Sequence, residues 1–297
     1  SYIEMNERII PILATCIGGC LIGLAPIFVR VSEVGPSFTG LYRFIFATLL
    51  IFIFGIVSKK LKFFKYKQLY LVAIPGLFFG VDITLWHSSI TMTSVANATL
   101  FVNTAPLYVC LFAYILFKEK LSFLFTIALM LCSAGIIILT TTNSSFDGSL
   151  YSFGNTLALL GAFFYAGYLF SIYKLSTQFD TFNLIFYSCL FACIPIGIGS
   201  LFEIDNPFPN SYLGWINFLG QAVFVQIMGQ GLVIYGLSRI KPQISSLLLL
   251  FQPVSATILG IYFFSETLLI GQFIGVIILL VGIYFAGLSE RLNRGNS

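Results

Sequence analysis

The second half of this 297-residue chain repeats the first at a displacement of 147 residues, inside apolar segments long enough to cross a bilayer. Pro106, Glu119 and Gly135 recur as Pro253, Glu266 and Gly282 with no gap. The surroundings agree. Asn103-Thr104-Ala105-Pro106 stands against Leu250-Phe251-Gln252-Pro253, and Lys118-Glu119-Lys120-Leu121 against Ser265-Glu266-Thr267-Leu268. The chain therefore reads as two copies of one helical unit, residues 1–148 and 149–297. Such a duplication in membrane-length helices points towards a carrier.

The solvent follows from the charges. Only 9% of residues are charged and 58% are hydrophobic, with 33 Phe, whereas a soluble domain carries roughly 25% charged residues. Ten apolar segments fall near 9–31, 36–57, 69–90, 94–117, 121–140, 153–174, 181–202, 212–237, 242–264 and 268–288. Each has the ~20 residues that a hydrocarbon core of roughly 30 Å requires. Helices are expected because the runs are too long for barrel strands and do not alternate. The first segment reads as a span and not as a cleaved leader, since no small-residue cleavage site follows it.

Basic residues orient the ladder. With the N-terminus inside, all but Arg30 and Arg43 of the 15 Lys and Arg lie in cytoplasmic segments, while the outer loops hold Asp147, Glu203 and Asp205. The net charge of +4 sits in short loops beside spans, which is no argument for nucleic acid. Five spans per unit is an odd number, so the second unit enters the membrane inverted. The loop after the second span carries five Lys and its counterpart after the seventh carries none. The expected fold is an all-α polytopic membrane protein of ten transmembrane helices, a 5+5 inverted repeat with both termini cytoplasmic. Two inverted halves that exchange conformation turn an outward-open cavity into an inward-open one.

Arg43-Phe44 in the second span, the stretches Pro106–Glu119 and Pro253–Glu266, and Gly135 with Gly282 resemble the EamA-type branch of the drug/metabolite transporter superfamily over nearly the whole chain. The resemblance implies a central cavity lined by the first four spans of each half, with spans five and ten as outer support. It implies transport of amino acids, amines or other small metabolites.

Ionisable groups inside spans are costly and rare, hence functional candidates. Arg43 lies about two turns below the outer surface, Asp82 near the middle of the third span, and His87 a little over one turn nearer the outside. Asp82 and Trp86 share a face. Two readings stand: Arg43 and Asp82 neutralise each other, or Arg43 holds a carboxylate and Asp82 an amine or a proton. His87, the only histidine, suits proton exchange near neutrality, or packs. In the second half Gln226 and Gln230 share a face of the eighth span, and Gln252 lies in the ninth. Thr104 and Tyr108 follow one stripe of the fourth span, and Tyr165 and Tyr168 project from adjacent turns of the sixth. These groups suit a small, partly apolar ligand, or helix-to-helix bonds.

Glu119 and Glu266 fall on opposite faces of the bilayer and cannot form an acid–base pair; a structural role at the following turn is expected. Gly19/Gly23 and Gly271/Gly275 have small-xxx-small spacing, for an internal contact or a dimer face. No catalytic set, metal cluster, cofactor motif or nucleotide loop is present, so transport would run on an ion or solute gradient. The expected partners are a small-molecule substrate, the lipid bilayer and protons, in a monomer or homodimer of a bacterial inner (cytoplasmic) membrane. The expected activity is export of an amino acid or amine. A channel or non-transporting scaffold stays open as an alternative, an intramembrane enzyme more remotely.

Overall fold

A computed structural model describes residues 2–93, 95–118, 121–142, 153–265, 267 and 269–295. Glu119 and Glu266 lie outside the described residues. Among the described residues are ten helices long and apolar enough to cross a membrane. They are α1 (Ile9–Arg30), α2 (Pro36–Val57), α3 (Tyr66–Met92), α4 (Asn97–Leu116), α5 (Phe123–Thr141), α6 (Phe153–Leu175), α7 (Thr181–Ser200), α8 (Tyr212–Leu237), α9 (Pro242–Phe264) and α10 (Ile270–Ser289). The chain is a multi-pass membrane protein. The expected segments are all found, and α3 is longer than its hydropathy suggested because Tyr66–Gln68 and Thr91–Met92 continue the helix.

A helix satisfies its backbone without water, which is why apolar runs of this length wind up in a bilayer. Embedded hydroxyls do the same by bonding to carbonyls one turn back, as Thr48 does to Phe44 (2.8 Å), Thr84 to Gly80 (2.8 Å) and Ser171 to Gly167 (2.7 Å).

Four spans are not continuous α-helix. In α1 a turn at 23–24 precedes Pro26, and the second piece is Ala25–Arg30. In α4 the pieces Val95–Val102 and Ala105–Phe117 meet ahead of Pro106; in α9 the pieces Pro242–Leu248 and Phe251–Phe264 meet ahead of Pro253. Proline lacks the donor that would continue the ladder. In α8 the middle stretch, Gln221–Gln230, is wound as π-helix, a geometry that is rare and frequent at functional sites. Pro75 and Pro195, by contrast, stay within α3 and α7.

The packing pairs come in twos. Helix α3 packs on α6 as α8 packs on α1, α3 on α7 as α8 on α2, and α4 on α6 as α9 on α1. The most extensively packed pair is α5 with α10. A Cβ on Gly135 would lie 2.6 Å from the Leu279 nitrogen, and one on Gly282 would lie 2.8 Å from the Cys132 nitrogen. Positions 132 and 279 are themselves 147 apart, so the two contacts exchange when each residue is replaced by its repeat. Further along, Gly275 meets Leu139, Gly271 meets Thr142, and the Ser122 and Ser289 hydroxyls bond at 3.1 Å. One index rises as the other falls; the two helices run antiparallel. Gly19 and Gly23 sit against Phe251 and Gln252 of α9. Both small-residue pairs are thus used inside the chain. The helices α4 and α9 also end alike, with Lys118 (φ 52°) and Ser265 (φ 51°) in the left-handed region and 147 positions apart.

Candidate substrate site

Arg43 projects from α2 into the bundle and is 5% exposed. Its Nε and Nη2 both donate to Gln226 Oε1 of α8, at 3.1 and 2.7 Å. Gln226 is fully buried, and its amide Nε2 donates to the Cys189 sulfur of α7 at 3.3 Å. An arginine keeps its charge in any protein environment, so α2, α7 and α8 meet on a buried cation. The neutralising pair with Asp82 does not form. The amide takes the guanidinium, and Asp82 stands within reach of its charge without touching it.

Asp82 and His87 project from α3 and are buried. Asp82 Oδ1 and His87 Nδ1 have no hydrogen-bond partner in the protein. Helix α6 comes close to Asp82 at Gly161, where a Cβ would lie 3.2 Å from Oδ1. The His87 ring lies on Gly40 of α2, with the half-buried Trp86 ring 5.1 Å away. Buried polar atoms without partners cost roughly 1–3 kcal/mol each. Such a cost is tolerated where a ligand completes the bonding.

Aromatic rings wall this polar centre. Phe79 of α3 meets Phe44 edge-on (centroids 5.3 Å) and stacks on Tyr168 (4.5 Å), which stacks in turn on Tyr165 (5.9 Å). Gln230 donates to the Tyr168 hydroxyl at 2.8 Å, and Tyr165 faces Gln230 and the half-buried Gln252 of α9. Arg43, Asp82, His87, Tyr165, Tyr168, Gln226, Gln230 and Gln252 are therefore brought together, with Trp86 at their edge. Thr104 is not. Its hydroxyl bonds to Phe101 (2.6 Å), and the residue lines a separate apolar crevice of about 80 Å³ between α4, α5 and α9. Tyr108 packs edge-on against Phe163, centroids 5.7 Å apart. Cys189 and Phe79 are site residues that the sequence did not signal: one is an unremarkable thiol, the other one Phe among 33.

Both ends of the bundle are bridged between the two halves. At one end Glu203 accepts from the Phe38 nitrogen (3.1 Å), the Tyr42 hydroxyl donates to the Pro207 carbonyl (2.8 Å), and Glu33 accepts from the Ser211 nitrogen (2.9 Å) and hydroxyl. The Ser211 bonds hold Glu33 below the ordinary carboxylate range, whereas burial raises Glu203 despite its bond from Phe38. At the other end Lys62 N donates to Asn183 Oδ1 (2.9 Å), Asn183 Nδ2 to the Lys60 carbonyl (3.2 Å), and the Tyr187 hydroxyl to the Lys62 carbonyl (2.8 Å). Lys62 Nζ pairs with Asp180 at 3.0 Å, both side chains well exposed.

Magnitudes separate these contacts. An exposed ion pair contributes ~0–1 kcal/mol, whereas removing the fully buried Asn183 amide leaves two backbone groups unpaired at about 1–3 kcal/mol. Asn183→Ala is therefore expected to lower the unfolding midpoint clearly, and Lys62→Ala hardly at all; equal shifts in a thermal melt would contradict this. Burial raises Asp180, but the Asn183 and Lys62 bonds outweigh it and leave the group lowered. A lowered carboxyl stabilises the fold above its ordinary 3.8 and loses that contribution only as pH falls through the lower folded value. Melts between pH 5 and 8 are accordingly expected to be insensitive to this latch.

A polytopic helical bundle that joins a buried cation and carboxyl of one half to amides of the other has the form expected of a membrane transporter. The chain belongs to the EamA-like transporter family, whose model matches residues 9–141 and 152–288. It is similar to an uncharacterized transporter of Archaeoglobus fulgidus, 24% identical over 71% of this chain and 74% of that one. It is also similar to a chloroplastic WAT1-related protein of Arabidopsis thaliana, 24% identical over 86% of this chain. The chain spans 64% of that plant protein's length. A solved crystal structure shares the fold, with a TM-score of 0.76 over 96% of this chain and 98% of the other, at 17% identity.

Proposed function

We propose that this protein is a secondary transporter that exports a small amino acid or amine across the cytoplasmic membrane by alternating access. The carrying observation is the buried centre itself. Arg43, Asp82 and His87 come from the first half, and Tyr165, Tyr168, Gln226, Gln230 and Gln252 from the second. Arg43 receives a carboxylate, Asp82 an amine or a proton, and the ring wall an apolar side chain. Trp86, Thr104 and Tyr108 flank the path and do not hold the solute.

The halves, 1–148 and 149–297, act as inverted units with both termini in the cytoplasm. Supporting this are the paired contacts, the exchange of Gly135 and Gly282 across α5 and α10, and the matching ends of α4 and α9. The two bridged ends fit a closed intermediate, from which opening either set of bridges exposes the centre to one side. One copy contains the whole centre, so a monomer suffices, and a homodimer is compatible with it.

Counterflow tests the reading. Liposomes preloaded with pooled amino acids and amines are expected to accumulate one labelled class above vesicles without protein. A well-folded sample that exchanges no member of the pool would count against it and favour a channel or scaffold. Asp82→Asn is expected to abolish the response of transport to a pH gradient while the protein still folds; an unchanged pH response in that variant removes Asp82 from proton coupling.

A further inference from the structure

Arg43 gives its Nε–Nη2 edge to a single oxygen, Gln226 Oε1, at 3.1 and 2.7 Å. That edge is the fork that pairs two-on-two with a carboxylate. An amide oxygen bears only partial charge, so the cation is held there without being neutralised, in a place closed to solvent. Gln226 is itself weakly tied: its own donor goes to a thiol, Cys189, at 3.3 Å, and sulfur is a weak acceptor. It also rides on the π-wound segment Gln221–Gln230. A π segment reverts to α-helix by releasing a residue, which turns the side chains on one side of it by roughly 100°, one position at 3.6 residues per turn.

We propose that Gln226 is an internal stand-in for the carboxylate of the transported solute, holding the Arg43 fork until the solute displaces it while α8 winds from π towards α. The proposal rests on the reading that Arg43 receives a solute carboxylate, and it makes Gln226 a specificity-determining residue. A solute with a carboxylate replaces the amide with a stronger bond to the cation. An amine without one must break the Arg43–Gln226 bonds and return nothing. Gln230 lies four residues further along the same segment, so the turn that withdraws Gln226 also acts on its bond to Tyr168.

The test uses the purified protein and formate, a carboxylate small enough to enter a closed site, compared with chloride at equal ionic strength. In Gln226→Ala the fork is vacated, and formate is expected to raise the unfolding midpoint more than it does in the wild type. In Gln226→Glu, which has the shape of the native residue, a carboxylate already holds the fork. Its midpoint is expected roughly 2–4 °C above wild type, with no response to formate. Equal formate shifts in all three proteins would overturn the stand-in; if the alanine variant does not fold, the glutamate variant and the wild type carry the comparison. In liposomes Gln226→Glu is expected to lose counterflow of labelled leucine by about tenfold or more, and Gln226→Ala to show a lower KM. A raised KM in Gln226→Ala would make Gln226 a direct ligand and overturn the proposal. The underlying reading fails separately, if the wild type exchanges isopentylamine as readily as leucine.

Discussion

Replacing Arg43 with Met is expected to reduce counterflow of any carboxylate-bearing solute by about a hundredfold or more, while stability falls by no more than about 1–3 kcal/mol, the cost of one unpaired amide oxygen. Truncating one partner of a desolvated charge pair costs roughly 2–5 kcal/mol, and each 1.4 kcal/mol is a factor of ten. The fold does not depend on that charge. Arg43 bonds to one side chain, the Gln226 amide, and lies over the Phe44 ring at 5.2 Å, so its removal leaves one buried amide oxygen unpaired, at about 1–3 kcal/mol. Arg43→Lys separates charge from geometry: lysine keeps the cation and lacks the planar fork, so it is expected to restore only a small part of the transport. Full activity in the methionine variant would remove Arg43 from substrate binding. A collapse of the melt would make it structural.

The second large effect lies far from the substrate. Gly135→Ala places a Cβ 2.6–2.8 Å from the backbone nitrogen and Cα of Leu279, and Gly282→Ala places one 2.8 Å from the Cys132 nitrogen. Backbone cannot yield as a flexible side chain can. Each substitution must push α5 and α10 apart, with an expected cost of about 3 kcal/mol and a midpoint lowered by roughly 6–12 °C. Gly197→Ala is the control. Its Cβ would meet only the tip of Leu41 at 3.8 Å, so it is expected to be neutral or stabilising by ~0.5–1 kcal/mol, the ordinary advantage of Ala over Gly in a helix. If all three substitutions behave alike, the close approach of α5 and α10 does not hold the halves together.

These two effects differ in how far the sequence announced them. Gly135 and Gly282 were legible as repeat markers, because a duplication leaves its trace in linear order. The ten spans were legible for a related reason: length and hydropathy are local properties, and a bilayer imposes them strongly. Proline did not mark the breaks by itself: Pro26, Pro106 and Pro253 stand at breaks of α1, α4 and α9, whereas Pro75 and Pro195 lie in unbroken helix. Arg43, Asp82 and His87 stood out because charges within spans are rare. What they touch did not. The partner of Arg43 is 183 positions away, and neither the rotation of α8 nor its π winding is encoded in any short pattern. Thr104 shows the same gap from the other side. It shares a helical stripe with Tyr108, yet α4 is turned so that Thr104 faces a crevice beside α5 and α9. Periodicity fixes which residues share a face, and only packing decides where the face looks.

The most direct test of a carrier with one central site uses the thiol that already sits there. Cys189 bonds to Gln226 beside Arg43, and all six cysteines are free. With the other five replaced by alanine, a membrane-impermeant thiol reagent can be applied to either face of sealed vesicles, with and without transported solute. Alternating access predicts that Cys189 reacts from both faces, and that solute on one side raises its reactivity from one face while lowering it from the other. Reaction from a single face, or rates that rise and fall together on both, would contradict it.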